Sequence, residues 1–60
     1  MYYDKSQALA AASKAFNRSP EGTKVLVEYD YSQRVYFTHV MEAWESTRHI
    51  NGTIIKTHTK

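Results

Sequence analysis

Three histidines, a run of mid-chain acids and five tyrosines are the side chains of this 60-residue sequence whose types can do chemistry. His39, His49 and His58 invite a metal reading. They show no helical i, i+4 pairing and have no thiolate neighbours, and Glu42 is the only carboxylate at helical spacing from His39. A metal site needs convergent ligands, which this spacing does not promise, so no metal or other cofactor is expected. Their shared titration near neutrality is more notable, because protonation adds three positive charges. Glu28, Asp30, Glu42 and Glu45 can be cast as general acids and bases, but such work needs a cleft that shifts a pKa. No serine sits in a nucleophile-elbow context. The two glycines, Gly22 and Gly52, stand too far apart to form a phosphate-cradling loop. The expectation is a protein that is not an enzyme.

Tyrosine is the distinctive residue. Tyr29, Tyr31 and Tyr36 fall in or beside a β-rich stretch that also holds Lys24 and Arg34. Aromatic rings beside cations stack on bases in single-strand binders. Tyrosine is also enriched at protein interfaces, where the ring packs and the hydroxyl bonds. The plainest role is filling strands and a small core, since tyrosine suits a pleated surface. If Val25, Val27 and Phe37 point inward, Glu28, Tyr36, Lys56 and His58 decorate the opposite face of the sheet. The candidate partner-binding residues are therefore Tyr29, Tyr31, Arg34, Tyr36, Lys56 and His58.

These side chains must be positioned by very little protein. A domain of this size buries only about 60% of its unfolded surface and is marginally stable. Small scaffolds add disulfides, a metal or a partner subunit. With no cysteine, disulfides are excluded and a thiolate zinc site is disfavoured. Good packing or self-association remains, and a homodimer is a plausible state. No apolar run approaches the roughly 18 residues of a membrane span. Met1-Tyr2-Tyr3-Asp4-Lys5 lacks the basic-then-apolar plan of a secretory signal, so a reducing, cytoplasmic location is expected. Asn51-Gly52-Thr53 matches a glycosylation sequon but reads as a turn. The formal charge of +2 is small, yet unevenly spread. Lys5, Lys14 and Arg18 outweigh Asp4 at the start, and Arg48, Lys56 and Lys60 stand unopposed at the end. Between them the balance is acidic.

The elements are expected to form one α+β domain over residues 1–60. Asp4-Lys5-Ser6-Gln7 has the form of a capping box, with Tyr3 and Ala8 placed for an apolar staple. The alanine-rich run behind it predicts a helix over 5–17, with Leu9, Ala12 and Phe16 on one stripe. Ser19-Pro20-Glu21-Gly22 predicts a turn. Residues 24–31 alternate as a strand, and Val35-Tyr36-Phe37-Thr38 supplies a second across the polar link Ser32-Gln33-Arg34. For residues 39–50 the helix propensity of Met41-Glu42-Ala43-Trp44-Glu45 predicts a second helix. It would start at Thr38, bury Val40, Ala43, Trp44 and Thr47, and stop at Asn51-Gly52. The alternative makes Ser46 to Ile50 a strand, paired with 53–57 through an Asn-Gly type I′ turn. The preferred fold is α-β-β-α-β, with two helices on one face of a three-stranded, mainly antiparallel sheet. The alternative is one N-terminal helix packed on a three-stranded meander.

The segment from Val35 to Thr59, with Met41-Glu42-Ala43-Trp44 as a helix and Gly52-Thr53-Ile54-Ile55 opening the last strand, resembles small phage-encoded accessory proteins. That resemblance implies binding to, and inhibition of, a host enzyme or defence complex. It carries over no site residue. The leading expectation is a protein-binding inhibitor or modulator of a larger macromolecule. The alternative is a small nucleic-acid binder whose basic ends contact phosphates.

Overall fold

The computed structural model describes all sixty residues. One helix, α1 (Lys5–Arg18), precedes three strands, β1 (Thr23–Asp30), β2 (Val35–Glu42) and β3 (Thr53–Thr59). The strands form an antiparallel sheet in the order β2-β1-β3. The α+β class and the hairpin agree with the sequence reading. No helix is long and apolar enough to cross a membrane.

α1 begins where the sequence provides a cap. Asp4 Oδ1 accepts from the Ser6 N–H at 2.9 Å and from the Ser6 hydroxyl at 2.8 Å, satisfying donors that the first turn would leave unpaired. The staple differs from expectation: Tyr3 is exposed, and Tyr2 is the tyrosine that packs on the core. Ala8 and Ala12 are fully buried against Val25 and Val27. The alanine methyl is too small to hold helix and sheet apart, so α1 lies close on the strands. Leu9, Ala15 and Phe16 flank that contact. The following turn places Gly22 at φ 86°, a left-handed conformation that glycine adopts without strain.

Residues 39–50 correct the preferred reading, because they contain no second helix. β2 continues through His39, Val40, Met41 and Glu42, which pair with Leu26, Val25, Lys24 and Thr23. A strand ending at Thr38 would leave half of β1 unpaired on that side. The ladder hydrogen bonds outweigh a local propensity worth only tenths of a kcal/mol per residue. Residues 43–52 form an irregular connection rather than the alternative strand at 46–50. The one-helix, three-strand alternative therefore fits in its elements. β3, however, joins the far side of β1 instead of following β2.

That strand order buries β1 on both faces. The helix covers Val25 and Val27. The connection crosses the other face, where Glu45 O accepts from Lys24 Nζ at 2.7 Å and Glu28 Oε2 accepts from the Gly52 N–H at 2.7 Å. Leu26 and Glu28 are consequently buried, Glu28 to 7% exposure. Gly52 is needed for close approach: a Cβ there would meet Glu28 Oε2 at 2.5 Å, Glu28 Cγ at 2.7 Å and the Tyr29 carbonyl oxygen. Asn51-Gly52 is thus neither a helix stop nor a hairpin turn. The molecule is a slab of 32 × 24 × 13 Å.

Candidate partner-binding surface

The expected open sheet face, carrying Glu28, Tyr36, Lys56 and His58, is absent. Directly paired residues share a face of an antiparallel sheet. Tyr36 pairs with Tyr29, Lys56 with Val27 and His58 with Val25, so all three lie on the helix face. Phe37, expected inward beside the valines, pairs with Glu28 on the opposite face. The one-residue step between Tyr36 and Phe37 reverses the assignment. Glu28 is held under the connection, and its Oε1 lies 2.6 Å from His39 Nε2.

Four of the six candidate residues nevertheless gather at the hairpin end. The Tyr29 ring meets Tyr31 edge-on at a centroid distance of 4.8 Å, and it meets Tyr36 at 4.8 Å with the rings tilted by 47°. Tyr2 adds its backbone beside them: its N–H donates to Tyr36 O at 2.8 Å, and its carbonyl accepts from the Tyr36 N–H at 2.7 Å. Tyr31 projects from this cluster with 69% of its surface exposed. The turn 31–34 is held by Asp30. Its carboxylate accepts from the Ser32 hydroxyl at 2.7 Å, the Ser32 N–H at 2.9 Å and the Gln33 N–H at 3.3 Å. The Ser32 hydroxyl, aided by these amides, holds the Asp30 carboxyl below its ordinary range. Arg34 closes the turn at φ 57°, in the left-handed region, and donates its N–H to Asp30 O at 2.7 Å. The result is an aromatic pad with phenolic hydroxyls, on a turn locked by a carboxylate and closed by the exposed Arg34. The packed rings of such a pad can stack and hydrogen-bond at a reduced ordering cost.

Lys56 and His58 lie apart from the pad, on β3. His58 stacks on Phe16 at 5.0 Å with the planes 30° apart. Lys60 lies 5.0 Å from the Phe16 ring centroid and donates to Phe16 O and Ser19 O, each at 2.9 Å. It thereby satisfies carbonyls at the end of α1, where a cation also suits the helix dipole. Lys60 thus lies at the Arg18 end of α1. His49 stands apart, exposed in the connection.

The chain finds no match among protein-family models, curated proteins or solved structures. Sequence reasoning missed three features of the structure. Trp44, expected in the core, is 82% exposed, and Val40, assigned to the same buried stripe, is 59% exposed. Both were misplaced with the helix that does not form. The third is the Glu28–His39–Gly52 cluster, whose members are far apart in sequence and share no local motif.

Proposed function

We propose that this chain is a non-enzymatic protein-binding module, an inhibitor or modulator of a larger macromolecule, of the kind that small phage-encoded accessory proteins represent. The reading includes action in the cytoplasm. The observation that carries it is the packed cluster of Tyr29, Tyr31 and Tyr36 on the turn that Arg34 closes. Tyrosine and arginine dominate the energetics of protein interfaces, and each well-placed anchor is worth about 2 kcal/mol or more, roughly 30-fold in affinity. A rigid turn limits the ordering cost of binding.

The test is capture from bacterial lysate with the tagged chain, run with and without nuclease beside a Tyr31→Ala/Arg34→Ala variant. A protein retained after nuclease treatment, and lost with the variant while its circular dichroism is unchanged, supports the reading. Retention by the variant removes the hairpin pad from the contact.

The seating of Lys60 at the Arg18 end of α1 favours a second reading, nucleic-acid binding through phosphate contacts. Arg18 lies in the last turn of α1, beside the seat of Lys60, and Lys56 and His58 follow on β3. This reading predicts affinity that falls steeply with salt, because phosphate contacts release counterions. Salt-independent binding, or capture insensitive to nuclease, rules it out.

A further inference from the structure

β2 leaves a short stretch of open backbone on its outer edge. Tyr36 turns both its N–H and its C=O away from β1, toward Tyr2. Alternation along an antiparallel strand makes Thr38, Val40 and Glu42 do the same. At Glu42 the outward groups are occupied: its carbonyl accepts from the Glu45 N–H at 3.0 Å, and its N–H donates to Glu45 Oε1 at 3.4 Å. Thr38 and Val40 remain, with two donors and two acceptors facing outward between a closed end at Tyr36 and a closed end at Glu42.

Exposed apolar side chains concentrate along this same edge. Met1, Tyr3, Tyr31, Val40 and Trp44 are the large exposed hydrophobic residues of the chain. Met1 and Tyr3 flank Tyr2 at one closed end, Val40 lies in the open stretch, and Trp44 sits in the turn at the other closed end. The opposite edge is different. β3 carries a register irregularity facing Val27 and Glu28, and it exposes Lys56, Thr57 and Thr59, which are features that discourage edge pairing.

We propose that β2 pairs antiparallel with β2 of a second copy of this chain, forming a continuous six-stranded sheet. The unpaired groups are self-complementary about His39. A two-fold axis there sets Thr38 opposite Val40 of the partner copy, and the reverse, closing four backbone hydrogen bonds. The same axis sets Tyr36 opposite Glu42 of the partner copy, so docking exchanges the Tyr2 bonds on Tyr36 and the Glu45 bonds on Glu42 for bonds between the two strands. The stretch Val35–Met41 contains no Lys, Arg, Asp or Glu, and the two His39 residues that meet at the axis each lie against a Glu28 carboxylate. A domain whose buried apolar core is six residues, two of them alanine, gains from the added burial. The pairing is independent of the hairpin-pad reading.

Sedimentation equilibrium from about 10 µM to about 1 mM spans the affinity expected of so short a contact. The mass is expected to rise from 7.0 kDa toward twice that value, and Val40→Lys is expected to weaken association at least about tenfold. Amide hydrogen exchange of the unaltered chain provides a readout that does not depend on the variant folding. The Thr38 and Val40 amides are expected to slow together as concentration rises, while those of Thr57 and Thr59 do not change. A mass of 7.0 kDa at every concentration overturns the proposal. So does a dimer in which Thr38 and Val40 still exchange freely, or capture of some other partner by this edge with no self-association.

Discussion

Replacing Glu28 with alanine is expected to destabilise the fold by about 3 kcal/mol, for reasons that can be apportioned. The largest part is the Gly52 N–H, which now donates to Glu28 Oε2 at 2.7 Å and would be left beneath the connection without an acceptor, at about 2 kcal/mol. Losing the Cγ methylene from a site only 7% exposed removes about another 0.8 kcal/mol. The His39 contact adds little, because the His39 side chain is 30% exposed and water can replace its partner. Folded domains of this length have roughly 3 to 9 kcal/mol in all, so the variant should lie near the edge of folding. Glu28→Gln is the informative companion. Its amide oxygen can still accept from Gly52, and its NH₂ can donate to a neutral His39, so the loss should stay under about 1 kcal/mol. Urea titration followed by far-UV circular dichroism measures both, and it is preferable to tryptophan fluorescence because the Trp44 ring is already in water. Equal losses from the two variants, or a Glu28→Ala loss below about 1 kcal/mol, would refute the claim that this carboxylate pins the connection.

Gly52→Ala tests the same crossing sterically. With Glu28 Oε2 at 2.5 Å from the added Cβ, a loss of about 1 to 3 kcal/mol is expected in the same titration. Trp44→Ala, by contrast, should change the stability of the monomer at low concentration by no more than about 0.5 kcal/mol, because the ring buries almost nothing. Acid should weaken the fold through Asp4 and Asp30. The Ser6 hydroxyl and amide hold the Asp4 carboxyl below its ordinary 3.8, and the Ser32 hydroxyl does the same for Asp30. A depressed carboxyl contributes fully above its unfolded pKa, and the contribution is lost as pH falls from near 3.8 through the lower folded value. Asp4→Asn and Asp30→Asn should each flatten the pH dependence of stability in that window and leave it unaltered near neutrality.

The parts of the fold legible in the sequence are those whose signals are local. Asp4 before an alanine-rich run specifies α1, and two alternating stretches around a polar link specify the hairpin. The 39–50 segment was illegible because its helix propensity is a local quantity, while the pairing of His39 to Glu42 is set by the length of β1, a dozen or more residues earlier. The Val25-Leu26-Val27 run did carry a trace of the answer. Three consecutive apolar residues mark a strand covered on both faces better than they mark a half-exposed one. Simple alternation over 24–31 instead sets Leu26 with Glu28, on the side away from Val25 and Val27. Of the candidate site, the tyrosines were visible by type and by proximity in the chain. Their company was not. Whether Tyr36 or Phe37 joins Tyr29 depends on a one-residue register, and the far connection that buries Glu28 leaves no mark near Glu28 itself.

The placement of β3 has a kinetic consequence. β1 and β2 close through the four-residue turn 31–34, whereas β3 reaches β1 only by joining Thr53 to Tyr29. The logarithmic loop-closure law makes the second contact costlier by about 1.4 kcal/mol in chain entropy before any pairing repays it. Substitutions in the hairpin should therefore act mainly on the rate of folding, and substitutions in β3 mainly on the rate of unfolding. Two strands that look equivalent at equilibrium, flanking the same neighbour, would then govern opposite limbs of the folding reaction.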